Sequence, residues 1–155
     1  MIRMLDVATI VIAGIMVGTE FSVAALIHPT LARLEDRVHL GSSVALARIL
    51  GSVMPFWYAL VLFLMVAEDL VRHHLLHQWP CLVSIAAILW AVSIVYTLAA
   101  LVPINNRIAS WTESTSPANW MSERHRWDVL HRWRVGLLVA SFTLFVIAAL
   151  AYPLI

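Results

Sequence analysis

The sequence predicts an all-α integral membrane protein, a four-helix up-down bundle formed by a single domain spanning residues 1–155. Composition carries most of that prediction. The chain is 62% hydrophobic and 12% charged, whereas soluble domains run at about 45–50% and about 25%. A 155-residue chain has no soluble core large enough to hide so much apolar surface, and lipid is the solvent that accepts it. The second observation is four long apolar runs separated by polar or proline-marked connectors. The third is that chemistry-bearing side chains collect at the ends of those runs.

The spans are expected at about residues 5–27, 44–68, 81–102 and 127–152. The first is long enough to cross about 30 Å of hydrocarbon. It exceeds a signal-peptide core and lacks a small-x-small cleavage site before a polar mature sequence, so it reads as a retained span. Within it lies Glu20, in GTEFSVAALIHP. An ionisable group at that depth marks a functional site or a buried pair. His28-Pro29 is expected to end the helix, because proline disfavours helical geometry in the residue before it. The segment LARLEDRVHLGSSVALARILGS sets Leu31, Leu34 and Val38 opposite Glu35, Asp36 and Arg37. It reads as an amphipathic interfacial helix leading into span two. Met54-Pro55 opens the apolar run of that span, which is expected to close at Glu68-Asp69.

In the connector DLVRHHLLHQWP, His73, His74 and His77 have a spacing that could bind a metal on a helix, but no carboxylate is positioned to complete a shell. Interfacial histidines are the preferred reading. Span three stops at PINNRIASW. Asn105 and Asn106 there either cap a helix end or line a polar pocket. The polar loop TESTSPAN precedes Trp120, where the last helix begins.

That helix starts polar, with ERHRWDVLHRWR running unbroken into VGLLVASFTLFVIAALAY. Glu123, Trp127, His131 and Arg134 are spaced i, i+4, i+8, i+11 and share one stripe. In an up-down bundle this stripe, Glu20 and Asn105-Asn106 meet at one membrane face. Glu20, His131 and Arg134 are therefore the candidate catalytic residues, and Asn105, Asn106 and Trp127 the candidate substrate-binding residues. Glu20, Asp128 and His131 form a candidate ligand set for a single iron, manganese or zinc ion, the alternative being no cofactor at all. Arg124, Arg126 and Arg132 read as headgroup-facing and Asp128 as a partner for Arg124 or Arg132.

Net charge of +1 argues against a nucleic-acid partner. All ten basic side chains are arginines, which reads as codon bias rather than phosphate recognition. Cys81 is alone, so no disulfide forms within the chain. Eight arginines fall on the side of the longer connectors, and Arg3 and Arg72 on the other. The positive-inside rule then makes the connector side cytoplasmic and predicts a multi-pass protein of the bacterial inner membrane. Expected partners are the lipid bilayer and a hydrophobic small-molecule substrate, with homo-oligomerisation left open.

GTEFSVAALIHP, the Met54-Pro55 pair, PINNRI, and the W-x-x-x-H-x-x-R of Trp127, His131 and Arg134 together resemble the anthrone-oxygenase-like family of small four-helix membrane proteins. The resemblance implies a four-span bundle. In some members it also implies oxidation of a polyketide anthrone by molecular oxygen, or a related step in natural-product biosynthesis, without an established cofactor. It carries the functional expectation to Asn106, Trp127, His131 and Arg134; Glu20 comes from depth alone. The expected function is thus a membrane-embedded, oxygenase-like oxidoreductase acting by acid–base chemistry or a bound metal on an aromatic or polyketide-type molecule. The alternative is a non-catalytic helper subunit or small-molecule binder whose polar cluster is structural.

Overall fold

The computed structural model describes residues 2–76, 81–112 and 114–151, so His77, Tyr152 and the side chains of Arg3 and Cys81 lie outside it. No strand occurs among the described residues. Four helices are long and apolar enough to cross a membrane, Met4–Leu31, Asp36–His74, Leu82–Ser110 and Trp120–Ala151. Only 22% to 39% of their most apolar windows is buried inside the bundle. The rest faces outward and requires lipid, so the chain is a multi-pass membrane protein. The first span packs against the second and fourth, and the third against the second and fourth. The helices therefore form a ring in chain order.

Two expected helix ends do not occur. Span one is α1 (Ile2–Ser22), a π-helical turn (Val23–Ile27) and α2 (His28–Leu31), which carries the helix through Pro29. Span three repeats the arrangement, with α4 (Cys81–Tyr96), a π-helical turn (Thr97–Leu101) and α5 (Val102–Ser110), through Pro103. In both, the residue before proline donates its amide five residues back, His28 to Val23 and Val102 to Thr97. The wider turn gives the pyrrolidine ring room that an α-turn would deny it, so each proline is absorbed rather than obeyed as a stop.

The second correction concerns α3 (Asp36–Leu76), a single helix of 41 residues, about 60 Å long at about 1.5 Å per residue. The amphipathic segment is not a separate interfacial helix: Leu31 ends α2, residues 32–35 form the turn, and from Asp36 the segment is the first turns of α3. Glu68-Asp69 does not end it either, because Glu68 is paired inside the bundle. The length of α3 exceeds the thickness of the hydrocarbon, and its N-terminal part packs against α5 through Leu40, Val44 and Ala47. The last helix, α6 (Trp120–Ala151), begins where the loop ends.

The apolar interior falls into two clusters. The inner one is built on Met16, Val61, Met65, Trp90, Leu138 and Phe145. The outer one is built on Val23, Leu40, Leu101, Ile104, Ile108 and Trp127. Polar cross-links join the helices where they approach closely. Ser141 donates to the Ala86 carbonyl at 2.7 Å, Trp90 Nε1 to the Tyr58 carbonyl at 3.1 Å and Asn105 Nδ2 to the Ala47 carbonyl at 3.0 Å. A methyl group on Gly51 would lie 2.9 Å from that same Asn105 nitrogen. Gly51→Ala is therefore expected to break the Asn105–Ala47 bond and cost about 1–3 kcal/mol. Combining it with Asn105→Ala should cost less than the sum of the two singles, as a double-mutant unfolding cycle in detergent would show.

Candidate functional site

The polar start of α6 is helical and its i, i+4, i+7 side chains Trp127, His131 and Arg134 turn inward, all buried. Glu123 stays outside, bridged to Arg107 at 2.6 Å. From α1, Glu20 reaches the same level and is 2% exposed. Its Oε2 accepts from Arg134 Nη2 at 2.6 Å and its Oε1 accepts from the Tyr58 hydroxyl at 3.0 Å. Arg134 Nη2 also lies 2.8 Å from His131 Nδ1, and Nη1 donates to Thr97 Oγ1 at 3.4 Å. A guanidinium can only donate, so His131 Nδ1 is the acceptor and Nε2 carries the imidazole hydrogen. His131 Nδ1 and Glu20 Oε2 are 3.5 Å apart.

Toward the loop side the network continues as a stack. His131 lies nearly parallel to Trp127, with centroids 4.6 Å apart and a 19° interplanar angle. The Arg124 guanidinium covers the indole at 4.2 Å, a favourable cation–π placement. His28 meets the indole edge-on at 5.0 Å. Arg124 Nη2 donates to Asp128 at 2.8 Å and lies 2.7 Å from both ring nitrogens of His28, so whichever lacks a proton accepts. Arg124 is thus a buried member of the network, 3% exposed, and not a headgroup residue. Its i, i+4 carboxylate and the indole face are what make that burial affordable. Arg126 and Arg132 do face outward.

These elements enclose a cavity of about 380 Å³. Glu20, Asn105, Asn106, Trp127, His131 and Arg134 all line it. So do Tyr58 and Thr97, with apolar walls that include Leu50, Met54, Ile94 and Leu101. Asn105 is an interior helical residue rather than a cap, fixed to Ala47. Asn106 is exposed at the cavity's outer edge. Three lining side chains hold buried N–H groups without a hydrogen-bond partner, Trp127 Nε1, His131 Nε2 and Arg134 Nε. All three are donors, and buried donors without acceptors are costly unless a ligand oxygen supplies them.

The metal set Glu20, Asp128 and His131 is not assembled. Among the described residues no three histidine, cysteine, aspartate or glutamate side chains are arranged to hold an ion. The reason is charge: each carboxylate of the trio is taken by an arginine, Glu20 by Arg134 and Asp128 by Arg124. The donor set does not fit a divalent metal.

Residues 38–144 match the anthrone oxygenase family over more than half of the chain. The chain belongs to that family. No curated protein and no solved structure matches the chain. The anthrone oxygenase match covers Tyr58, Asn105, Asn106, Trp127, His131 and Arg134 and begins after Glu20 and His28.

Sequence reasoning missed His28, Tyr58, Thr97 and Arg124 as members of this network. His28 is eight residues beyond Glu20 on one span, a spacing that could have placed both on one face. Tyr58 had no such signal in a run of aromatic and aliphatic residues. Also missed was a second buried charge cluster at the other end of the bundle, where Arg72 on α3 pairs with Asp6 on α1 and, at 3.4 Å, with Glu68. Arg72 is fully buried, not a topology charge in a connector.

Proposed function

We propose that the protein is a membrane-embedded oxidoreductase that deprotonates a planar, hydrophobic aromatic molecule and passes the resulting carbanion to molecular oxygen. One observation carries the reading: a carboxylate and three unpartnered N–H donors surround a single, mainly apolar cavity. Glu20 is the base, being the one carboxylate among the described residues that lines this cavity. His131 presents Nε2–H, so together with the Trp127 and Arg134 donors it stabilises the oxygen on which negative charge develops. Arg134 holds Glu20 and His131 in register, and Tyr58 orients the second carboxylate oxygen.

An anthrone is the substrate type that the family's description names, and its chemistry suits the cavity. Loss of one methylene proton to Glu20 gives an enolate whose oxygen sits against the donors. Oxygen adds at the former methylene carbon. One oxygen atom remains as the new carbonyl, and the other leaves as water with the two methylene hydrogens. Natural-product biosynthesis is the setting in which such molecules arise.

A second reading has an observation behind it. The Asp6–Arg72–Glu68 cluster is a second set of buried charges, linking α1 to α3 away from the cavity, and the Glu20 network could in the same way join helices in a non-catalytic binder. His131→Asn keeps an acceptor for Arg134 and removes the Nε2 donor, and Glu20→Gln removes the base. Each is expected to lower turnover of a hydroxylated anthrone in proteoliposomes by about 100-fold or more, with the fold retained. Wild-type oxygen consumption in both folded variants would overturn Glu20 and His131 as the reacting groups, and a folded wild-type protein that consumes no oxygen above empty vesicles would leave only the binder.

A further inference from the structure

The cavity has a closed side and an open one. Toward the loops it is roofed by the Arg124–Trp127–His131 stack, each member at most 6% exposed. Toward the gap between spans two and three the lining residues are themselves exposed, or half-buried in the case of Val102. On α3 these are Gly51, Pro55 and Ala59, spaced i, i+4, i+8 on one helix face. Across the gap stand Leu98 on the π-helical turn, then Val102 and Asn106 on α5, with the same spacing. Leu98 is 62% exposed although it lines an interior cavity. The three α3 residues carry no long side chain, so the α3 wall of the slot is low and Leu98 is the large side chain facing it. Asn105 and Ala47 pin the helices together at its outer end.

What lies outside the slot is apolar. Phe56 and Leu60 flank it on α3, 78% and 44% exposed, and Val95 continues it on span three, 65% exposed. Side chains of this kind on a spanning helix face hydrocarbon, and the opening between them faces it too. Buried unpartnered donors at the inner end, His131 Nε2 among them, give a ligand something to reach for.

We infer that Pro55, Ala59 and Leu98 form a lateral portal through which a planar aromatic molecule dissolved in the bilayer slides into the cavity, with Leu98 as its gate. The inference rests on the cavity being a small-molecule site, as in the reading above, but not on catalysis there. Substrate partitions into lipid before it binds, and molecular oxygen, itself apolar, shares the route. The slot admits flat molecules edge-on and excludes branched ones of equal volume. Ala59 and Leu98 therefore set specificity without touching the reacting atoms.

The test is uptake of 1,8-dihydroxyanthraquinone by the full chain in phosphatidylcholine vesicles, followed by stopped-flow quenching of tryptophan fluorescence. Ala59→Phe, which fills the slot from a lipid-exposed position, is expected to slow association roughly tenfold, and Leu98→Ala to speed it. Dissociation should change in the same direction, leaving the equilibrium constant within about twofold. Val92→Phe, at a lipid-facing position outside the slot, is the control and should match the wild type. Equal association rates in Ala59→Phe, Leu98→Ala and the control overturn the portal. Absence of saturable quenching in the wild type overturns both the portal and the small-molecule site. Portal-dependent uptake with no anthrone turnover overturns only the catalytic reading.

Discussion

Arg134→Met is expected to destabilise the bundle by about 3–5 kcal/mol, the cost of leaving a buried charge without its partner. Arg134 and Glu20 are 7% and 2% exposed and 2.6 Å apart, so water can do little to replace the lost guanidinium. The same substitution frees His131 Nδ1 and removes the donor to Thr97. Glu20→Gln in the Arg134→Met background should recover a large part of the loss, because the stranded negative charge disappears. Equilibrium unfolding in mixed micelles measures both. An Arg134→Met protein as stable as the wild type would mean that the pair contributes nothing, and that the network's geometry is not what holds spans one and four together. Arg134→Lys keeps the charge but cannot bond Glu20, His131 and Thr97 together, since an ammonium lacks the planar fork.

The second large effect is expected at the opposite end. Arg72→Leu strands two carboxylates, Asp6 and the fully buried Glu68, and should cost at least as much as Arg134→Met, again about 3–5 kcal/mol. Its consequence for turnover should differ. Asp6 and Glu20 are fourteen residues apart on α1 (20 − 6 = 14), about 21 Å at about 1.5 Å per residue. The layer between them is mainly apolar, its buried polar side chains being hydroxyls such as Thr9 and Ser141. Whatever fraction of Arg72→Leu protein is folded should therefore oxidise substrate at the wild-type rate per folded molecule, whereas Arg134→Met should lose stability and turnover together. Activity normalised to the folded fraction distinguishes them.

The spans were legible because lipid imposes a simple rule: a crossing helix must be apolar for about 20 residues. The convergence of Glu20, Asn105, Asn106, Trp127, His131 and Arg134 on one cavity followed from helix periodicity and from the antiparallel order of the spans. Helix ends were read less well. Proline is a strong stop in water, where the freed backbone groups can be hydrated, but in a bundle a π-helical turn re-satisfies them and the helix continues through Pro29 and Pro103. Charges were misjudged for a related reason. Arg72 and Arg124 occupy positions where an arginine normally snorkels to the headgroups. Partners brought in from other helices, Asp6 for one and His28 for the other, join the same-helix carboxylates Glu68 and Asp128 in turning them inward. No local pattern encodes those long-range pairings. Tyr58 and Thr97 escaped because a hydroxyl inside an aromatic or aliphatic run carries no signal until its acceptor is known.

The two π-helical turns have a consequence for how the bundle tolerates change in chain length. A turn closed five residues back holds one residue more than an α-turn of the same reach, so each of spans one and three carries one surplus residue just before its proline. The wide turn absorbs that surplus, so the residues beyond it keep the phase of a plain α-helix one residue shorter, about 100° away from where uninterrupted α-bonding of this chain would put them. Removing Ala25 is therefore expected to restore ordinary helical bonding in span one and leave His28 against the Arg124–Trp127 stack, and removing Ala99 to do the same in span three with Asn105 still bonded to Ala47. A one-residue deletion elsewhere in either span, with the wide turn retained, should swing those side chains toward lipid. The register of the polar network is thus stored in two wide turns, at which the chain can lose one residue without shifting it.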